Sequence, residues 1–334
     1  VTESKKKQRS IRWVRNVLLA LIVLLLALKI VTDVLVSRAE KKYPPDETVV
    51  VEGLALNYVR AGNGRPVVFF HGSGGYLQHF TLSPLFDAIT ANYQAIFFDR
   101  PGLGYSEKPA NEAPTLAVQA RLLHGALQEL GVTRPILVGQ SRGGSVALAY
   151  ALAYPDDVAG IVLVGTPPYP RERHEDYFDV IARMPVVGDL TLKTVYVPVG
   201  HYLVAPSILE QRVKGFSPLT DVPTTFYDLT LEIGLRPTHL KASAVENNII
   251  PLELEALSQR LGEIAVPVTI IAGALDTPVI EQAAWMDVDI PYSEQVVIKD
   301  AEHFLWYAYP DVVVTAVTDT WAWVDSLGGT AVNP

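Results

Sequence analysis

Residues 136–150 read Ile-Leu-Val-Gly-Gln-Ser-Arg-Gly-Gly-Ser-Val-Ala-Leu-Ala-Tyr. Ile136–Val138 predicts a buried strand, and Ser141–Tyr154 predicts a helix rich in small residues. Between them, Gly139-Gln140-Ser141-Arg142-Gly143-Gly144 has the strand–turn–helix context of a nucleophile elbow. A serine at so sharp a turn sits in strained backbone geometry, and its neighbours two before and two after must be nearly free of side chain. Gly139 and Gly143 meet that demand. The helix that follows presents free N–H groups to developing negative charge. Two glycines at these offsets arise by chance for roughly half a percent of serines.

On both sides of this stretch, strands alternate with helices. Val49–Val51 and Leu56–Arg60 predict a hairpin around Gly53. Pro66–Phe70 and Gln94–Phe98 are continuous apolar runs, suited to strands buried on both faces. Thr115–Leu130 has helical period and stops at Gly131. Val158–Gly165, Val268–Ala272 and Gln295–Ile298 predict further strands, and Val279–Asp287 and Asp311–Leu327 further helices. The alternation implies a mostly parallel sheet covered by helices. Residues 167–267 break the rhythm. They are rich in proline (Pro206 and Pro218 among them), have helical pieces and no clear strand pair, and read as an inserted helical lid.

Three further groups sit where strands end. His71-Gly72-Ser73-Gly74-Gly75 follows Pro66–Phe70, and its small residues let backbone N–H groups approach a substrate oxyanion. His71 itself ends a strand and is read as structural. Asp276 follows Val268–Ala272, and His303 follows the last strand. A loop histidine there can reach Ser141, and Asp276 can hold its tautomer. Asp300 and Glu302 stand too near His303 in sequence to orient it easily. His79, His124, His174, His201 and His239 lie in helices or the insert and lack this placement.

Together these residues resemble the α/β-hydrolase superfamily over about residues 45–330. The order Ser141, Asp276, His303 matches that fold's nucleophile, acid and base. Asp99-Arg100-Pro101-Gly102-Leu103-Gly104-Tyr105-Ser106 is similar to the family's D-x-x-G-x-G-x-S loop, which is structural. The resemblance implies an α/β-hydrolase fold with a catalytic triad of Ser141, Asp276 and His303. It also implies an oxyanion hole from the N–H of Arg142 and of Ser73, with Gly74 the weaker candidate. No metal or cofactor is expected. Epoxide hydrolases and haloalkane dehalogenases of this fold use an aspartate nucleophile, and Ser141 stands in that place. Gln140 and Arg142 depart from the usual elbow. Arg142 puts either a cation near the pocket base or an ion pair within the fold.

Composition bounds the remaining choices. The 334 residues are 49% hydrophobic and 19% charged, which excludes a globally disordered chain. The absence of cysteine removes thiolate nucleophiles and disulfides. A net charge of −9 argues against nucleic-acid binding. The mean hydropathy of +0.22 has a local source. Lys5, Lys6, Lys7, Arg9, Arg12 and Arg15 precede twelve unbroken apolar residues, Val17–Leu28. Twelve residues rise only about 18 Å as a helix, but extension to Val36 gives about twenty, enough to cross a bilayer. The first 42 residues carry +7 and the remainder −16.

A cleaved signal, an uncleaved anchor and an amphipathic surface helix compete here. The anchor is favoured, because no A-x-A site follows and the run is apolar all round. The expected organisation is an N-terminal transmembrane anchor (1–42), a core (43–166 and 268–334) and the lid (167–267). The charge asymmetry places the N-terminus in the cytoplasm and the catalytic domain outside it.

The expected activity is a serine hydrolase of carboxylic esters with an apolar part. Tyr169, Tyr177, Phe178, Tyr196, Tyr202, Phe216, Phe226 and Tyr227 are candidates to line its pocket. The alternatives are a C–C bond hydrolase or a perhydrolase/haloperoxidase-like enzyme on the same triad, and then a non-catalytic binding protein. The expected partners are a small ester or related carbonyl substrate and, through the N-terminal helix, a membrane.

Overall fold

The computed structural model describes residues 2–170, 176–203, 209–211, 214 and 222–328, without the side chains of 2–5. His174, Pro206, Phe216 and Pro218 lie outside the described residues.

The chain begins with one helix, α1 (Thr2–Lys42), and then builds a sheet. Its strands are β1 (Glu47–Val51), β2 (Leu54–Ala61), β3 (Pro66–Phe70), β4 (Gln94–Phe98), β5 (Ile136–Gln140), β6 (Gly160–Val164), β7 (Val268–Gly273) and β8 (Ser293–Ile298). The spatial order is β1-β2-β4-β3-β5-β6-β7-β8. β1 and β2 pair antiparallel, as does β2 with β4, and every later pairing is parallel. The α/β-hydrolase fold read from the sequence, a mostly parallel sheet flanked by helices, is what forms. The hairpin turns at Glu52 and Gly53, both at positive φ. β5, β6 and β7 are buried at every position, which is why their sequences lack polar alternation.

Helices cover both faces. α2 (Gln78–Thr81), α3 (Pro84–Thr90), α4 (Leu116–Glu129) and α5 (Arg142–Ala153) precede β6. Leu122, Leu123 and Leu127 of α4 pack with Val146 and Leu148 of α5 on one face, and Leu85 and Ile89 of α3 pack on the other. Thr115 caps α4 by accepting from Val118 N, and Gly131 ends it at φ 67°, as the glycine after the periodic run predicts.

Between β6 and β7 the described elements are helical. They are α6 (Tyr177–Arg183), α7 (Val187–Thr191), a π-helical turn (Leu192–Tyr196), α8 (Val197–Leu203), α9 (Thr224–Leu229), a second π-helical turn (Thr230–Gly234), α10 (Pro237–Ser258) and a 3₁₀ turn (Leu261–Glu263). The chain returns through α11 (Thr277–Asp289), β8, α12 (Leu305–Ala308) and α13 (Pro310–Ser326).

α1 does more than the sequence suggests. Its C-terminal half packs on the insert. Thr32 Oγ1 donates to the Lys193 carbonyl at 2.6 Å, Leu35 and Ala39 are buried, and Arg236 donates to Glu40 at 2.8 Å. Apolar side chains from Ile11 to Ile30 remain largely exposed.

The elbow depends on close backbone approach. A Cβ on Gly143 would lie 2.1 Å from the Phe70 carbonyl oxygen, and one on Gly139 would lie 2.3 Å from Gly144 Cα. Both obstacles are backbone and cannot swing away. Gly143→Ala is therefore expected to cost about 2–3 kcal/mol and to displace β3 from α5. A chemical-denaturation midpoint unchanged from wild type would contradict this.

Candidate active site

β5 ends in Gln140, and α5 begins at Arg142. Ser141 between them has φ 50° and ψ −122°, a conformation that costs a non-glycine residue about 1–3 kcal/mol. Its N–H is held by the Val164 carbonyl at 2.8 Å. The turn thrusts the side chain into a cavity of about 380 Å³.

Asp276 follows β7, and His303 lies beyond β8. His303 Nδ1 donates to Asp276 Oδ2 at 2.7 Å, and both side chains are mostly buried. That bond leaves His303 Nε2 as the acceptor, facing the same cavity. Gln140 Nε2 donates to it at 3.3 Å, and Ser141 Oγ makes no hydrogen bond among the described residues. Such contacts are often loose without substrate and tighten in its presence. Ser141, His303 and Asp276 thus meet at one end of the sheet, from three segments far apart in sequence. Gly165 packs beside His303 at φ 59°, a backbone conformation that a side chain would strain.

Gly72 to Tyr76 form the opposite wall. The N–H of Ser73 and of Arg142 makes no hydrogen bond among the described residues, so both remain available to an oxyanion. The guanidinium of Arg142 turns away from the cavity. Its Nη1 donates to Asn247 Oδ1 at 2.8 Å and lies 3.8 Å from Glu246 Oε2. Burial lowers its pKa, and the Glu246 charge opposes that shift. Of the two roles open for Arg142, the structure gives the ion pair within the fold. Asn247 also accepts from Ser73 Oγ at 3.1 Å and donates to Asp179 Oδ2 at 3.1 Å.

Beneath the site lies a buried cluster. Arg100 donates to the carbonyls of His71 (2.7 Å) and Gly72 (2.9 Å), to Gln119 Oε1 (2.7 Å), and to both oxygens of Glu246. Arg100 is fully buried and Glu246 only 2% exposed. Burial opposes ionisation of Glu246, but the Arg100 charge and hydrogen bonds outweigh it and hold the carboxyl below its usual range. His71 Nε2 accepts from Arg100 N at 3.0 Å, the structural role expected of it.

Sequence reasoning missed three residues. Gln140 touches the nitrogen of His303 that faces the cavity. Asn247 joins the insert to the loop at Ser73. His79 lines the cavity, stacked on Phe226 at 4.6 Å, with its Nε2 buried and unpartnered. A helix-borne histidine carries no sequence signal for such a position. Among the aromatic candidates, Phe226 and Tyr227 line the cavity. Phe178 and Tyr196 pack on each other, Tyr169 packs on Trp285, and Tyr177 and Tyr202 are exposed. Phe304 and Trp306, beside His303, supply aromatic wall that was not anticipated. Among the described residues no cluster of histidine and carboxylates suited to a metal is present.

The profile of the family described as alpha/beta hydrolase fold matches residues 65–185. The 2-hydroxy-6-oxo-6-phenylhexa-2,4-dienoate hydrolase of Comamonas testosteroni is 30% identical over 230 residues, 66% of this chain and 74% of the relative. The hydrolase of the same name from Burkholderia cepacia is 27% identical over 75% of this chain and 85% of its own. Among solved structures, the meta-cleavage product hydrolase of Pseudomonas fluorescens IP01 superposes with a TM-score of 0.67. That likeness has 19% identity and covers 84% of this chain and 98% of the other. The chain belongs to the α/β-hydrolase family and is an enzyme of that family.

The expectation of a carboxylic-ester hydrolase is corrected by these relatives, which are named as hydrolases of a 2-hydroxy-6-oxo-dienoate and not of an ester. The physical reason is plain. Triad and oxyanion hole serve addition to any carbonyl, and the motifs say nothing about the leaving group.

Two predictions follow from the buried groups. Glu246→Ala leaves the Arg100 charge uncompensated and is expected to cost about 3–5 kcal/mol, read as a fall in the urea midpoint. An unchanged midpoint would show the pair to be dispensable. His79 is depressed to about 3 and His239 to about 4, in both cases chiefly by burial, and burial also lowers His71. Unfolded, each takes up a proton near pH 6.5, so their stabilisation is complete above 6.5 and lost as pH falls toward 4. Asp99, raised by burial to about 6, acts in the opposite sense. Burial also raises the carboxyls of Asp46, Asp179 and Glu253, but the three histidines are the groups whose unfolded forms titrate between pH 7 and 5, so the midpoint should drop over that range. A flat profile would refute the neutral buried histidines.

Proposed function

We propose that this protein hydrolyses a C–C bond adjacent to a ketone in a 2-hydroxy-6-oxo-2,4-dienoate or a close analogue. The observation that carries the reading is the pair of relatives so named, which this chain matches over 74% and 85% of their lengths. The aromatic wall of Phe226, Tyr227, Phe304 and Trp306 suits an apolar group on the ketone side.

In the proposed chemistry, the enol proton moves from the 2-hydroxyl to C5, giving a conjugated 2,6-diketone. His303 takes the proton of Ser141 Oγ, which adds to the C6 carbonyl, and Asp276 stabilises the imidazolium. The N–H groups of Ser73 and Arg142 bind the oxyanion. The C5–C6 bond then breaks. Its electron pair delocalises through the alkene to the C2 carbonyl, and the proton that His303 took from Ser141 converts that anion to the 2-hydroxydienoate, leaving His303 neutral. Water, deprotonated by His303, releases the acyl group from Ser141 as a carboxylic acid. The helical insert, residues 167–267, acts as the lid over this chemistry.

α1 is the proposed membrane anchor, with the N-terminus cytoplasmic and the body outside. Its candidate span is apolar and only 6% buried, unlike a core helix of a soluble body. The charge excess before the apolar run supports the orientation.

The decisive experiment compares 2-hydroxy-6-oxo-6-phenylhexa-2,4-dienoate with p-nitrophenyl esters as substrates for wild type and Ser141→Ala. Turnover of the dienoate, seen as loss of its conjugated absorbance, should exceed ester turnover in kcat/KM. No dienoate turnover by folded protein would overturn the reading, and full activity in Ser141→Ala would overturn the nucleophile. Asp276→Asn should lower kcat on the order of 10⁴-fold, and a loss under tenfold would place the acid elsewhere.

A further inference from the structure

The insert carries an apolar edge that the body leaves uncovered. Met184, Val186, Val187, Leu190 and Val195 are all exposed, Val186 at 78%. Val186 is also held at φ 60°, a costly conformation for a β-branched residue, with its side chain facing outward. The feature stands beside α1. Asp189, Leu190, Lys193 and Thr194 form one side of a trough of about 330 Å³, and Ile22, Leu25, Leu26 and Lys29 form the other. Thr32 fixes the register through the Lys193 carbonyl.

This placement sets a depth. Lys29, paired with Asp33, ends the unbroken apolar run of α1. Ile22, Leu25 and Leu26 lie within the stretch from Val17 to Val36 that α1 needs to cross a bilayer, so whatever packs beside them shares that depth. The charged groups at this edge are paired or can reach the headgroups. Asp189 is paired with Lys241 at 2.6 Å, and Lys193 has a stem long enough to reach the headgroups.

We propose that α7 and its flanking turns are embedded in the outer leaflet of the bilayer beside α1, so that the insert is a second membrane contact and its trough holds lipid acyl chain. The proposal rests on the reading of α1 as a membrane span. It brings the insert that walls the active-site cavity against lipid.

The test exploits the absence of cysteine. In the full chain, Val187→Cys and Leu190→Cys are labelled with an environment-sensitive fluorophore and reconstituted into phosphatidylcholine–phosphatidylglycerol vesicles. Quenching is read with phospholipids spin-labelled high or low on the acyl chain. Leu21→Cys reports α1, and Asp156→Cys, exposed next to β6, is the aqueous control. The expected result is a blue shift at positions 187 and 190, with stronger quenching by the shallow label and none at 156. Quenching at 21 but not at 187 and 190 would overturn the embedded insert and leave the anchor standing. Absence of quenching at 21 as well would overturn both. A concentration-dependent blue shift without lipid quenching would mean that a second copy covers the edge, which also overturns the proposal.

Discussion

The interior position of one guanidinium constrains most of what surrounds it. Arg100 cannot lose its proton, so each of its donors requires a buried acceptor. The acceptors come from the loop after β3, from α4 and from α10, and Glu246 contributes both carboxylate oxygens. A bidentate pair of this kind stabilises little by itself, but removal of either partner is expensive. Its consequence is geometric. The carbonyls of His71 and Gly72 are fixed from below, and the N–H of Ser73 therefore faces the cavity. α10 then belongs to the catalytic floor as well as to the insert.

Strain at Ser141 is the second constraint. A turn at φ 50° persists only where the surroundings over-determine it. Here they do so by contact, through the missing side chains of Gly139 and Gly143 and the bond from Ser141 N to Val164. The gain is that one oxygen stands clear of both strand and helix, opposite His303. Burial lowers the pKa of the neighbouring His71, His79 and His239 and so favours their neutral forms. The low dielectric that does so also strengthens the bond between His303 and Asp276.

The elements that position chemistry were legible because backbone sterics write themselves into sequence. β3, β4, β5 and β6 are continuous apolar runs for want of any solvent face, and Gly139, Gly143 and Gly131 mark positions where a Cβ has no room or φ is positive. Ser141, Asp276 and His303 each follow a strand, so topology alone brings them together. Gln140, His79 and Asn247 were not legible. The contacts of His79 and Asn247 depend on how the insert packs over the sheet, which helix periodicity in a proline-rich segment does not encode, and Gln140 meets His303 only through the pairing of strand ends. The exposed Tyr177 and Tyr202 show the same limit from the other side, since aromatic content alone does not say which rings face a cavity.

The same division explains why the class of reaction could be read while the bond broken was misjudged. Every step up to the tetrahedral intermediate is addition to a carbonyl, and the residues that serve it sit on strand ends with strict spacing. An ester and a vinylogous diketone diverge only when that intermediate collapses. Stabilisation of a departing carbanion lies mainly in the conjugation of the substrate, and the protein's share is to hold the chain planar and to deliver a proton. The cavity wall that meets the rest of the substrate is made of Phe226 and Tyr227 from the insert, Phe304 and Trp306 beyond His303, and His79. None of them belongs to a motif. A sequence motif therefore reaches only the floor of the site, and the wall, drawn from the insert and from the segment after His303, lies outside its reach.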